Sequence, residues 1–237
     1  MDELVALRRP LTPDPSPASG RGERALHCSV GSTMLTPFIL TVTAALAALP
    51  LAATRSAGAA RLAGHLAGPA RAVPRTAFAL SAAAVLLLAL VQAFVVVAVS
   101  IFSVSVVWLQ DLTQYLFGAA FLLAAGAVLL TDGHVRVDLF YSRWSPRRRA
   151  LVDLLGLTLF VLPVCALVLI ASAPYVAASW AEFERSPEPS GVHAVYLLKS
   201  LIPAFGVLLG LAAFARASDA AQTLRGVAGP AAPLRSA

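Results

Sequence analysis

Charged side chains are scarce in this sequence, and they are unevenly distributed along it. Only 13% of the 237 residues are charged, whereas 59% are hydrophobic, and an ordinary soluble domain carries about 25% charged residues. Uncharged runs of about 20 residues are long enough to cross the hydrocarbon core of a bilayer as helices. Several such runs occur here, so the composition predicts an all-α integral membrane protein and excludes an ordinary soluble domain.

The sequence also has few of the residues from which an active site is built. Its two cysteines, Cys28 and Cys165, cannot provide a disulfide framework, and no histidine lies inside a long apolar run, which argues against an intramembrane haem. We find no metal-ligand spacing of histidines and carboxylates, no phosphate-binding glycine loop with a lysine, and no intramembrane carboxylates for a proton relay. These absences argue against an enzyme, a cofactor and a self-sufficient ion-coupled transporter.

The chain carries a net positive charge, which could indicate nucleic-acid binding, but the positions of the charges do not favour that function. The formal net charge is +6, but the arginines border the apolar runs. Arginines in that position determine topology and contact lipid headgroups. We therefore expect membrane lipids as partners and no nucleic acid.

The N-terminal part of the chain divides into three segments. Residues 1–33 are rich in Pro, Ser, Gly and Arg and are predicted to be a disordered leader. Because this stretch resembles a translated intergenic repeat, we hypothesise that translation starts at Met34; a genuine flexible leader is the alternative. Residues 34–54 are a candidate additional transmembrane helix or a signal-peptide core. Residues 55–76, rich in Gly, Ala, Pro and Arg, are predicted to be a cytoplasmic linker.

Residues 77–216 are predicted to form a four-helix membrane unit, and residues 217–237 a cytoplasmic tail. The predicted spanning parts are residues 79–103, 112–131, 151–173 and 194–215. Gln92 is the only strongly polar residue inside the first of these, and we expect its amide to lie against another helix. Pro163 is expected to kink the third. Gly206 and Gly210 have the spacing that permits close helix packing.

The connection between the second and third helices of this unit carries the most distinctive motif. It contains the heptad Asp132-Gly133-His134-Val135-Arg136-Val137-Asp138, and five arginines lie between Arg136 and Arg149. Short loops rich in Lys and Arg stay on the cytoplasmic side. Asp132 and Arg136 would be i,i+4 neighbours on a helical turn, and residues 135–144 are compatible with a short helix in the headgroup plane. The alternative is a loop that only sets topology.

The opposite end of the unit has the opposite charge pattern. The loop that follows the third helix holds three glutamates, including Glu188, and one arginine, so it is predicted to face the periplasm. Trp108 suits the membrane interface, and Asp111 suits the first turn of a helix, where the macrodipole favours a carboxylate. Lys199 is expected to snorkel or to pair with a carboxylate.

Three stretches together resemble a known family. The first is Trp108-Leu109-Gln110-Asp111-Leu112. The second is the heptad, followed by Tyr141 and Pro146-Arg147-Arg148-Arg149. The third is Ser186-Pro187-Glu188-Pro189, followed by Tyr196-Leu197-Leu198-Lys199 and Ile202-Pro203. In order and spacing they are similar to the small membrane subunit of tripartite ATP-independent periplasmic (TRAP) transporters, the DctQ family. That family typically has four spanning helices, so residues 34–54 depart from it.

The resemblance implies a function in uptake across the bacterial inner membrane. In such systems a periplasmic binding protein captures an organic acid, and a large permease subunit moves it inward with an ion gradient. The small subunit would scaffold the large one and contribute to docking of the binding protein. Candidate interface or structural residues are Asp132, Gly133, His134, Arg136, Asp138, Tyr141, Gly206 and Gly210; periplasmic-side candidates are Trp108, Asp111, Glu188 and Lys199. The alternative is a stand-alone membrane enzyme or lipid-modifying protein acting through His134 and Asp138 at headgroup level.

Overall fold

The computed structural model describes residues 19–133, 143–188 and 190–226, with side chains described from residue 35 onward. Within these ranges the regular structure is entirely helical, which confirms the predicted all-α fold. There are five helices: α1 (Ser19–Ala53), α2 (Ala57–Phe102), α3 (Val107–Leu130), α4 (Pro146–Ala181) and α5 (Val195–Leu224). Each contains a segment long and apolar enough to cross a membrane. The chain is therefore a multi-span helical membrane protein.

Helix α5 is the centre of the bundle, because it contacts each of the other four helices. Its inner half contains several small residues that are fully buried. Ala212, Ala213, Ala215 and Ala217 are each 0% exposed, and Phe214 is 1% exposed. Small side chains let neighbouring helix backbones approach closely in a membrane, where van der Waals contact drives helix association. This alanine-rich segment therefore holds the bundle together.

Helix α2 begins much earlier than the sequence predicted. It has 46 residues, about 69 Å at the α-helical rise, so residues 57–76 of the predicted linker form the first part of a continuous helix. The Ser56 hydroxyl caps it by accepting a hydrogen bond from the Ala59 N–H at 3.2 Å. In this first part its buried residues recur at three- or four-residue intervals and include Ala63, Ala67 and Ala70. This stripe packs against α5, which stabilises a segment whose composition suggested a linker.

Helix α1 also extends further than predicted. It starts at Ser19 and so takes in residues 19–33 of the predicted leader, a stretch without proline. Pro37 and Pro50 lie inside the helix and do not interrupt it. Neighbouring helices compensate the backbone groups that a proline leaves unpaired in a membrane. Pro50 is one of the most completely buried side chains of the described chain.

Helix α4 contains one irregular turn next to Pro163. Residues Leu157–Val161 form a π-helical turn, and the α-helix resumes at Leu162. Pro163 has no N–H to donate to the carbonyl one turn earlier and would clash with it in a regular helix. A π turn changes the register of the ladder at such a point, so the proline is accommodated by the turn before it.

Candidate functional site

The charged contacts of the described residues gather at the two ends of the bundle. At one end Asp111, Ser179, Glu184, Gly191 and Lys199 form what we call the outer cluster. At the other end Arg71, Asp132, Arg216, Asp219 and Arg225 form the inner cluster. The two clusters fall on the two sides that the arginine distribution predicts for the periplasm and the cytoplasm.

The outer cluster is organised by the end of α4. Phe183 adopts a left-handed backbone (φ 44°), and the Glu184 N–H donates to the Ser179 carbonyl at 3.1 Å. This Schellman-type ending turns the chain back over the helix. It places the Glu184 carboxylate where the Ser179 hydroxyl donates to it at 2.6 Å. Glu184 is therefore held in place as a hydrogen-bond acceptor.

Lys199 pairs with this carboxylate from the first turns of α5. Its ammonium forms an ion pair with Glu184 and lies 4.0 Å from the ring centroid of Tyr175, a cation–π distance. The Lys199 side chain is 14% exposed and the Glu184 side chain 38%. Of the two arrangements expected for Lys199, the structure shows pairing with a carboxylate. The pair joins α5 to the loop after α4.

Asp111 has a different role from the predicted one. Helix α3 begins at Val107 and its first turn holds no acidic residue, so Asp111 comes after that turn and is not an N-terminal macrodipole group. Its Oδ2 accepts a hydrogen bond from the Val192 N–H at 2.9 Å. A Cβ added to Gly191 would lie 2.5 Å from the same Oδ2. Asp111 and Gly191 thus hold the outer loop against α3.

Aromatic residues surround the outer cluster. The indole N–H of Trp180 donates to the Ser200 hydroxyl at 2.8 Å, and its ring lies 4.6 Å from that of Tyr196. Trp108 is in the first turn of α3 and is 51% exposed. Trp and Tyr rings are enriched at membrane–water interfaces, so this end has the composition of an interfacial belt. Glu188 is exposed beyond it.

Because Lys199 and Ser179 donate hydrogen bonds to Glu184, its pKa lies below the ordinary glutamate value. Stabilisation from a lowered pKa is present above the unfolded-state value, about 4.3, and is lost as the pH falls through the folded-state value. We expect Lys199→Met to lower the melting temperature at pH 7 and to shrink its fall on acidification. Differential scanning fluorimetry in detergent measures the melting temperature, once at pH 7 and once at an acidic pH below the folded-state pKa of Glu184. Glu188→Gln is the control, and equal melting curves for Lys199→Met and wild type would contradict the structural role of the pair.

In the inner cluster Asp132 ends helix α3. It has a left-handed backbone (φ 62°), and the Gly133 N–H donates to the Val128 carbonyl at 2.9 Å, as in a Schellman motif. Aspartate tolerates this conformation better than most residues, so it is the aspartate, not the glycine, that turns the chain. The Asp132 carboxylate accepts a hydrogen bond from Arg216 at 3.0 Å.

The predicted helical turn from Asp132 to Arg136 therefore does not begin at Asp132, whose backbone is not right-handed helical. Four further candidates lie outside the described residues: His134, Arg136 and Asp138 of the heptad, and Tyr141. The predicted short helix over residues 135–144 also lies outside them, except for its last two residues. The ion pair with Arg216 is a contact that the heptad itself could not reveal, because its partner is 84 residues away.

Two further contacts of the inner cluster were missed by the sequence analysis. Arg71 of α2 forms an ion pair with Asp219 of α5, with both side chains less than a third exposed. Arg225 donates to the Ala53 carbonyl at 3.2 Å and the Ser56 carbonyl at 2.6 Å, which ties the end of α5 to the α1–α2 turn. Their only sequence signal is an isolated charge beside an alanine-rich helix.

The glycines of α5 differ in how tightly they are packed. A Cβ on Gly206 would lie 3.2 Å from Leu169, whereas on Gly210 it would meet only ordinary contacts at 3.7 and 3.9 Å from Cys165. The tightest helix contact involves Gly126 of α3, where a Cβ would lie 2.6 Å from the Leu208 carbonyl oxygen. The predicted pair therefore lies at a helix interface, but the most demanding glycine is elsewhere.

Charged contacts at the ends and small residues between closely packed helices define an integral membrane protein whose interior is built for packing. A comparison with protein families matches residues 88–223 to "Tripartite ATP-independent periplasmic transporters, DctQ component". The match covers more than half of the chain, which therefore belongs to the DctQ family, as the three sequence stretches predicted. Neither the curated proteins nor the solved structures contain a match.

Proposed function

We propose that this protein is the small transmembrane subunit of a tripartite, ion-gradient-driven uptake transporter for an organic acid in a bacterial inner membrane. The family match over residues 88–223 is the observation that carries the proposal. In this role the chain scaffolds a large permease subunit, and its outer end contributes to docking of a periplasmic binding protein.

The scaffold role is supported by where the chain is packed and where it is open. Around α5 the helices approach closely over small buried residues, which gives a rigid body. In contrast, the apolar second half of α2 is open, and none of the residues 85–97 is buried within the described chain. An outward apolar face on a rigid core is what a subunit needs to pack beside a larger membrane protein.

The docking role is supported by the way the outer loop is held in a fixed position. Lys199 and Asp111 hold it from two different helices, and it presents Glu188 and Arg185 as exposed charges. Charges on a rigid surface steer and orient a soluble partner. The outer cluster would thus position the loop, and the exposed charges would meet the binding protein.

An uptake assay in cells lacking this chain tests the proposed function. We expect uptake of the organic acid to be lost and to return when the chain is supplied on a plasmid, while the isolated binding protein still binds its ligand. A Glu188→Lys variant tests docking separately and should lower uptake most when the binding protein is scarce. Normal uptake without the chain, or turnover of a lipid by the purified chain alone, would instead favour the membrane-enzyme alternative.

The sidedness of the two clusters is a separate prediction. Because the arginines concentrate at the inner cluster, reporter fusions after Arg149 and after Arg216 should report the cytoplasm. A fusion at Ser190 should report the periplasm. Alkaline phosphatase and fluorescent-protein fusions give opposite signals on the two sides, so each position is measured twice. A periplasmic signal after Arg149 would overturn this topology.

A further inference from the structure

Gln92 lies on the outside of helix α2. Its amide is expected to lie against another helix, and within the described part of this chain the side chain is exposed. Its helical neighbours Val85, Val96 and Val99 are 52%, 51% and 44% exposed. Ala89, one turn away, is exposed as well. Within the described part of the chain the Gln92 amide has no hydrogen-bond partner.

The depth of Gln92 makes this position costly in lipid. It lies ten residues before the end of α2 at Phe102, which is about 15 Å at the helical rise and close to half the thickness of the hydrocarbon core. A primary amide without a partner in an apolar medium loses the hydrogen bonds it makes in water, at a cost of several kcal/mol on hydrocarbon scales. Glutamines in such positions commonly bond across to another helix.

We infer that the face of α2 around Gln92 is the contact surface for a transmembrane helix of the large permease subunit. This deepens the proposed function and rests on it. The partner helix must offer the amide both an acceptor and a donor, as a Ser, Thr, Asn or Gln side chain or an unpaired backbone group does. Ala89 lets that helix come close, since its side chain is a single methyl group. The flanking valines supply the apolar contact.

Helix geometry provides a matched control on α2. Successive residues are 100° apart, so Ala83 and Leu90 point to roughly the opposite side of the helix from Gln92. Both are exposed, and Leu90 is 62% exposed. A bulky side chain at Ala89 should obstruct the proposed contact, whereas the same side chain at Ala83 should remain in lipid.

The test uses the full-length chain co-expressed with the large permease subunit and purified in mild detergent. We expect Ala89→Phe to reduce the recovered large subunit at least tenfold and Ala83→Phe to leave it unchanged. Gln92→Leu should weaken the association about threefold, the factor that corresponds to about 0.6 kcal/mol for one interhelical hydrogen bond in a membrane. Because Gln92→Leu and Ala89→Phe are apolar changes on an exposed face, each should still purify as a folded monomer.

Photocrosslinking tests the same contact by a second method, which does not depend on whether the phenylalanine variants fold. A benzophenone amino acid at Val96 should crosslink to the large subunit, and one at Leu90 should not. Crosslinking from Leu90 alone, or equal loss with Ala83→Phe and Ala89→Phe, would overturn this inference while leaving the proposed function intact. Crosslinking from Val96 to a second copy of this chain would also overturn it. If wild-type protein recovers no large subunit, the proposed function itself fails.

Discussion

Gly126→Ala is expected to destabilise the protein more than any other glycine-to-alanine change in the described transmembrane helices. The new Cβ would lie 2.6 Å from the Leu208 carbonyl oxygen, 2.9 Å from the carbonyl carbon and 3.1 Å from Cβ of Pro74. Two of these atoms are backbone, so neither can rotate away. Helices α3 and α5 would have to separate, at a cost of about 1–3 kcal/mol for an overpacked core.

The measurement is the fraction of protein that remains monomeric on size-exclusion chromatography after heating in detergent. Gly210→Ala is the matched control, because its Cβ meets only ordinary van der Waals contacts on Cys165. Gly206→Ala should fall between the two, since the neighbouring Leu169 side chain can shift. Equal thermal stability of the Gly126 and Gly210 variants would show that α3 and α5 are not packed this closely.

Arg71→Ala is expected to be the most damaging single change in the inner cluster. It removes the partner of Asp219, whose side chain is only 26% exposed, and leaves a carboxylate with part of its hydration lost. An unpaired group of this kind costs about 1–3 kcal/mol, whereas removing both partners together costs less. We therefore expect Arg71→Ala to destabilise the chain strongly and the double change Arg71→Leu with Asp219→Leu to restore much of the loss.

Cys165 provides the readout for this comparison. It is 3% exposed, so its reaction with a thiol-specific dye reports unfolding when Cys28 is replaced by serine. Arg75→Ala is the control, since it removes the same charge from the next turn of α2, where Arg75 is exposed. A melting temperature equally lowered by Arg75→Ala would mean that the net charge, and not the ion pair, stabilises the helices.

Much of the architecture could be predicted from sequence, because hydropathy and charge act locally. Uncharged runs predicted four spanning helices and a possible fifth, and the described chain has five helices long and apolar enough to span a membrane. The ends of the elements were harder to predict. Prolines 69 and 74 suggested a linker, but they lie within α2. Alanines such as Ala67 pack against α5 and stabilise this segment. Because that is a tertiary contact, local hydropathy could not predict it.

Individual site residues depend on contacts between distant parts of the chain, which spacing alone cannot supply. Lys199 was expected to snorkel or to pair with a carboxylate, and the left-handed turn at Phe183 places Glu184 beside it. Asp111 was assigned to a first turn that in fact ends one residue earlier. In the sequence Gly126 is one of several small residues of α3. What distinguishes it is that α3 turns this position toward the Leu208 carbonyl of α5. Gln92 was expected to lie against another helix, and within the described part of this chain it is exposed.

The central claim, that this chain works as the small subunit of a TRAP transporter, is tested most directly by affinity purification. The full-length chain would be isolated from membranes of cells that also express the large permease subunit and the binding protein, in mild detergent. The large hydrophobic subunit should be recovered with the chain in a fixed ratio. Recovery of the chain alone, with uptake unaffected by its removal, would contradict it.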